Sequence, residues 1–241
     1  MLSLSISVFA KDSFSGFYGG VDLGYQNTET LWKAEGIPPP NNGGDSYDAS
    51  SPSNFKSNDA IYGGFIGHNW TKEKFIYGLE LKANLGDSKK NLAGIPGCII
   101  NCGGYTTGAE IDKTSIEFDY GINLNGKLGI IQGNDLATYV IGGISYNKIN
   151  SSVTCQRSGP DPICIAADNS YFTYSRSNHL FGGSIGAGVE KLFGPYGLKL
   201  EYIYTEFKKT SNLANFPGDV HYNYNVRPER QALTLGISYH F

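Results

Sequence analysis

The chain has 241 residues, among them 32 glycines, 17 tyrosines, 13 phenylalanines and a single methionine, and its charged residues make up 17%, below the roughly 25% of ordinary globular domains. Glycine costs a helix about 1 kcal/mol against alanine, so this mixture disfavours helices and suits tightly turned, aromatic-rich β-structure. A net charge of −3 with no Lys/Arg run leaves no electrostatic case for nucleic acid as a partner, and no apolar run approaches the roughly 18 residues of a transmembrane helix.

The first ten residues, MLSLSISVFA, are apolar, and Val8-Phe9-Ala10 fits the small-x-small rule for signal cleavage ahead of Lys11. No basic residue precedes them. The expectation is a signal-peptide remnant over 1–10 and one domain over 11–241.

Eight segments then alternate with period two. Residues 16–26 set Phe17, Val21, Leu23 and Tyr25 on one face and Asp22 on the other. Residues 60–70 present Tyr62, Ile66 and Trp70 outward. Residues 75–85 set Phe75, Tyr77, Leu79, Leu81, Ala83 and Leu85 against Gly78, Glu80, Lys82 and Asn84. Residues 115–130 place Ile116, Phe118, Tyr120, Ile122, Leu124, Leu128 and Ile130 on one face, with Glu117, Asp119, Asn123, Asn125 and Lys127 on the other. Residues 137–149 follow. Residues 179–192 oppose Phe181, Ile185, Ala187 and Val189 to Ser184 and Glu190, and 196–207 oppose Leu198, Leu200, Tyr202 and Tyr204 to Lys199, Glu201 and Thr205. The last segment, ALTLGISYHF (232–241), carries Leu233, Leu235, Ile237, Tyr239 and Phe241 on one side. Each is long enough for a tilted strand to cross a bilayer, which takes about 9–11 residues.

The connections are uneven. Long, Pro/Asn/Ser/Gly-rich stretches (27–59, 87–113, 151–177, 209–229) alternate with the short turns TKEK, QGND and FGP. Every long loop therefore falls at one end of the strands, as in an outer-membrane barrel with short periplasmic turns and extended extracellular loops. Alternation alone does not say which face meets lipid. The Gly- and Ser-rich polar face, the aromatics near strand ends (Trp70, Phe75, Tyr239, Phe241) and the one-sided loops make the apolar face the lipid face. The fold class expected is an all-β, eight-stranded antiparallel transmembrane up-and-down barrel with four long extracellular loops.

In series, GFYGGVDLGY, GHNW with YGLELKANL, GKLG, YVIGGISY, SIGAGVE, LKLEYIYTEF and LGISYHF resemble the small outer-membrane barrels of alphaproteobacteria, a family of porin-like surface antigens and hemin-binding proteins. The resemblance spans nearly all of 14–241 and lapses in the loops. It implies a bacterial outer-membrane location, a surface role in envelope integrity and contact with a host-surface ligand or hemin, and a terminal strand, with Tyr239 and Phe241, read by the barrel-assembly machinery. Family members often carry arginines before the Leu-Gly of the fourth strand; this chain has Asn125 and Lys127, so its interior charges pair in their own way. A small diffusion porin is the alternative.

The inward groups are read as Asp22, Glu80, Lys82, Glu117, Asp119, Lys127, Glu190, Lys199 and Glu201. Paired carboxylates can serve acid/base chemistry, but an eight-stranded barrel is just wide enough for side chains to fill it, so a structural charge network is expected. The histidines at 68, 179, 221 and 240 form no catalytic signature; His179 stands beside Ser177 and Asn178. No enzymatic activity, metal or resident cofactor is expected. Hemin, implied by the resemblance, would find candidate ligands in His221, Tyr222 and Tyr224, with Arg227 for a propionate and His179 nearby. Four cysteines, Cys98, Cys102, Cys155 and Cys164, permit three pairings. Disulfides are expected, pairing within each loop demanding the least chain rearrangement; Cys-x3-Cys and Cys-x8-Cys without nearby histidines do not suit zinc.

Overall fold

The computed structural model describes residues 13–36, 53–93, 96, 113–133, 135–156, 171–216 and 220–241. Among them run nine β segments: β1 (Gly16–Gly36), β2 (Ser53–Lys72), β3 (Phe75–Ala93), β4 (Lys113–Gln132), β5 (Leu136–Gln156), β6 (Tyr171–Phe193), β7 (Tyr196–Phe207), β8 (Thr210–Phe216) and β9 (Val220–His240). All pair antiparallel with their neighbours, and β1 pairs with β9 from Tyr18↔His240 upward, closing the sheet on itself. β7 and β8 lie end to end on the same side of β9: β7 pairs with Glu229–Tyr239, β8 with Val220–Val226. They occupy one place in the wall, so the ring has eight strands. Closure is what a bilayer demands, because an open edge in hydrocarbon leaves each unpaired backbone group costing several kcal/mol.

All eight segments were expected to reach or exceed the length of a membrane crossing, yet seven strands, β1 to β6 and β9, are longer than expected, at 19 to 23 residues. At about 3.3 Å per residue a 21-residue strand extends about 70 Å, far beyond an apolar band of about 25 Å. The stretches 27–36 and 53–59, assigned to a loop from sequence, continue β1 and β2 above the membrane, and 171–178 and 220–231 do the same for β6 and β9. The reason is a reversal of chemistry without a change of geometry. Low on β1, Phe17, Val21, Leu23 and Tyr25 face out while Asp22 and Gln26 are buried; higher up, Thr30, Trp32 and Ala34 are buried while Lys33 and Glu35 are exposed. Outside the wall lies lipid below and water above. The polar and apolar stripes therefore exchange faces midway, and a search for one continuous amphipathic pattern stops there.

The interior is layered. A periplasmic apolar cluster of Phe14, Ile76, Ala137, Tyr139, Ile141 and Leu192 underlies a layer of charges, and an upper cluster around Trp32, Phe55, Ile116, Phe118, Tyr224 and Val226 lies above it.

β4 corrects one expectation. Its register with β5 slips between Phe118 and Gly121, a β-bulge that takes up an extra residue and reverses the facing of everything beyond it. Ile122, Leu124, Leu128 and Ile130 face out as expected, but Ile116 and Phe118 are buried in the upper cluster. Glu117 and Asp119 accordingly lie outside, in ion pairs with Lys89 (3.1 Å) and Lys148 (2.8 Å). They do not belong to the interior network.

Candidate functional site

The charged layer is assembled by the alternation of β1, β3, β6, β7 and β9 and of β4 beyond its bulge, each of which sends polar residues inward. Lys127 Nζ lies 2.6 Å from Glu80 Oε2 and 3.3 Å from Glu201 Oε1; Lys199 Nζ lies 2.8 Å from the same Glu80 oxygen and 3.3 Å from Glu201. Lys82 pairs with Asp22 and, at 3.6 Å, with Glu201. Two tyrosines complete the carboxylates: the Tyr18 hydroxyl donates to Glu80 at 3.0 Å and Tyr139 to Glu201 at 2.9 Å. Lys127 lies 4.8 Å from the Tyr139 ring centroid, and Lys199 sits 3.4 Å from that of Phe65, close enough for cation–π attraction in a desolvated site. Towards the periplasm, Glu190 accepts from Ser238 (2.6 Å) and faces His240 Nε2 at 3.1 Å.

Seven of the nine residues expected inside are therefore brought together, with Glu80 and Lys199 each only 1% exposed. Sequence reading missed Tyr18, Tyr139, Arg230 and His240. Tyr18 and Tyr139 were hard to find because an inward aromatic amid outward aromatics carries no polarity signal; Arg230 and His240 had a signal in their even positions on β9, opposite to Leu233 and Tyr239.

Among the buried described residues, Lys82, Lys127, Lys199 and Arg230 balance Asp22, Glu80, Glu190 and Glu201. Interlocked charges of opposite sign pack this layer among the described residues. A cavity beside Arg230 measures about 20 Å³, room for a single water.

The outer surface is the second functional face. Leu23, Ile185 and Ile237 are each at least 60% exposed to the surroundings, a contiguous apolar girdle with no place in water. Its lower rim is aromatic: Trp70 stacks on Tyr77 at 5.7 Å, Tyr196 meets Tyr239 edge-on at 5.4 Å, and Tyr239 meets Phe241 at 5.2 Å. The Phe241 backbone N–H donates to the Phe17 carbonyl at 2.9 Å, tying the final residue to the first strand. Its ring is 71% exposed, at the level where an aromatic belt meets the interface.

The residues named for hemin are not gathered. Tyr224 is buried and stacked on Trp32 with centroids 4.1 Å apart, its hydroxyl 2.9 Å from Ser151 Oγ. Burial pushes that hydroxyl up to about 12, so it stays a neutral phenol. Arg227, three residues along β9, points out to an ion pair with Glu206, and His179 is exposed on the outer wall, its Nδ1 2.6 Å from the Tyr146 hydroxyl. His221 and Tyr222 sit in β9 opposite Asn215 and Ala214, but their side chains lie outside the described residues. So do Cys98, Cys102 and Cys164, the side chain of Cys155, and residues 1–10.

Comparison with known proteins agrees with this architecture. The family model described as "Outer membrane protein beta-barrel domain" matches residues 1–241. Among solved structures the chain is similar to the outer membrane protein OprG from Pseudomonas aeruginosa, at 13% identity and a TM-score of 0.54, covering 94% of this chain and 97% of that one. It is also similar to the outer membrane protease OmpT from Escherichia coli, at 10% identity and a TM-score of 0.52, covering 100% and 99%. At such identities the likeness is one of fold. No curated protein matches the sequence.

Proposed function

The chain belongs to the outer membrane protein β-barrel family, and we propose that within the bacterial outer membrane it is a non-conducting surface barrel that supports envelope integrity and contacts a host or ligand through its extracellular end. The observation that carries this reading is the packed interior. Six interlocked charges, Asp22, Glu80, Lys82, Lys127, Lys199 and Glu201, capped above and below by apolar clusters, leave little for a solute to follow. A wall of this kind holds loops rigidly at the cell surface, and the walls rising above the membrane carry that display outward.

Placement of the named residues bears on the ligand. Tyr224 is enclosed in the upper core and His179 and Arg227 lie on the opposite side of the wall. Hemin capture, as part of the surface role, would thus fall to His221 and Tyr222. No catalytic role is included: the His179 imidazole is engaged by Tyr146 on the outer face.

Reconstitution in a planar bilayer tests the non-conducting reading. A flat current trace is expected, and stepwise openings would replace it with the diffusion porin. A hemin titration of the detergent-solubilised protein tests the ligand. A Soret shift abolished by the joint His221→Ala and Tyr222→Phe substitutions supports hemin contact, and its absence in the parent protein removes it.

A further inference from the structure

Interior charge is not matched evenly along the barrel. Lys82, Lys127 and Lys199 meet Asp22, Glu80 and Glu201, and Glu190 meets His240 at the periplasmic side. Arg230, at the upper edge of the layer and 6% exposed, has no carboxylate within 4.0 Å of its guanidinium among the described residues. Its partners are neutral. Nη2 donates to Asn123 Oδ1 at 3.4 Å, and with the Asn147 amide turned to present its oxygen, Nη1 donates there at 3.0 Å. The Phe207 ring centroid lies 5.7 Å away. Two amide oxygens do not use up five N–H donors, and a buried cation without a counter-charge is costly.

The same guanidinium borders the cavity of about 20 Å³, together with Lys82, Asn84, Asn123 and Thr205. No carboxylate-bearing residue lines it. The Thr205 hydroxyl, 1% exposed, has no hydrogen-bond partner among the described residues. Two cations, an unpartnered hydroxyl and amide groups thus surround a space of the size of one water or one halide ion.

We propose that this cavity binds one small monovalent anion, chloride being the abundant candidate, held by Arg230, Lys82 and the Thr205 hydroxyl. The ion supplies the counter-charge that the described residues do not place beside Arg230. It ties β7 and β9 to β3 and β4 across the barrel, so its effect is on stability and not on transport.

The test refolds the full chain into detergent in gluconate buffer, with chloride or bromide added at constant ionic strength. The thermal midpoint rises saturably by several degrees with halide, and crystals grown in bromide show an anomalous peak beside Arg230. Arg230→Gln removes the halide dependence. Should that variant not fold, Thr205→Val, which keeps the cation, raises the half-saturating halide concentration severalfold. A parent midpoint indifferent to halide, a halide effect unchanged in Thr205→Val, or a bromide map empty at the cavity would mean that water fills it, and would overturn the proposal.

Discussion

Trp32 and Tyr224 lie face to face, ring centroids 4.1 Å apart and planes within 5°, although 192 residues separate them in the chain. They meet because β1 and β9 are neighbours across the closing seam, where Trp32 pairs with Val226 and Ala34 with Tyr224. The stack anchors the upper apolar cluster, in the part of the barrel that stands above lipid. Trp32→Ala is expected to lower stability by about 3–5 kcal/mol, while the membrane band and its insertion into vesicles stay intact. Urea unfolding of the variant in detergent, followed by its altered migration on unheated gels, measures the loss.

The Tyr224 hydroxyl adds a pH dependence. Its pKa is raised by burial from 10.0 to about 12, so folding favours the neutral phenol while the unfolded chain ionises it near 10. The stability this contributes is complete below about pH 10 and is lost as pH rises through about 12. Tyr224→Phe removes the titration at a cost of about 1 kcal/mol for the hydrogen bond to Ser151. Its thermal midpoint is expected to fall less steeply between pH 10 and 12 than that of the parent protein; parallel curves would place the hydroxyl in water.

Glu201 accepts from Tyr139 and lies within 3.6 Å of three lysines. Glu201→Ala therefore strands buried positive charge and is expected to cost about 3–5 kcal/mol, read as a lower unfolding temperature. Replacing Lys199 by Met in the same chain removes one of the stranded cations and should restore part of the loss. An unchanged melt for Glu201→Ala would put the residue in contact with solvent.

The bulge in β4 is checked by labelling. Cysteine at 117 or 119 is expected to react on whole cells with a membrane-impermeant maleimide, while cysteine at 118 is protected, in a background lacking the native cysteines. Substituting Glu117 or Asp119 by Ala should change stability by less than about 1 kcal/mol, as for exposed ion pairs. The opposite labelling pattern would restore unbroken alternation through β4.

Gly20 marks the tightest approach at the seam. A Cβ there would stand 2.0 Å from the Ile237 carbonyl oxygen and 2.6 Å from the Phe65 ring. Gly20→Val is expected to block pairing of β1 with β9, leaving protein that refolds into detergent with poor yield and migrates as unfolded on unheated gels. Normal heat-modifiable migration would mean the seam has slack.

Much of this architecture was legible in the chain. Within the lipid band each strand is a two-sided surface with fixed chemistry on each side, so alternation in 75–85 or 232–241 states directly which residues face out. Glu80, Lys82, Lys127, Lys199 and Glu201 could be placed inside for the same reason. Above the band that reasoning lapses, because water on the outside and apolar packing on the inside reverse the code, and Trp32 or Phe55 then resembles a stray hydrophobe in a polar loop. At β4 it fails differently. One extra residue between Phe118 and Gly121 shifts the facing of what precedes it, and nothing in EFDYG announces the slip.

The order of the strands, the lipid-facing stripe and the inward charges are thus written in the sequence by itself, since local period and side-chain polarity are enough to specify them. Which lysine meets which carboxylate, that Arg230 meets none among the described residues, and that Trp32 finds Tyr224 were decided by tertiary structure alone. Those relationships depend on the tilt, stagger and closure of the ring, which set the height of each strand against its partners and have no signature within any single strand.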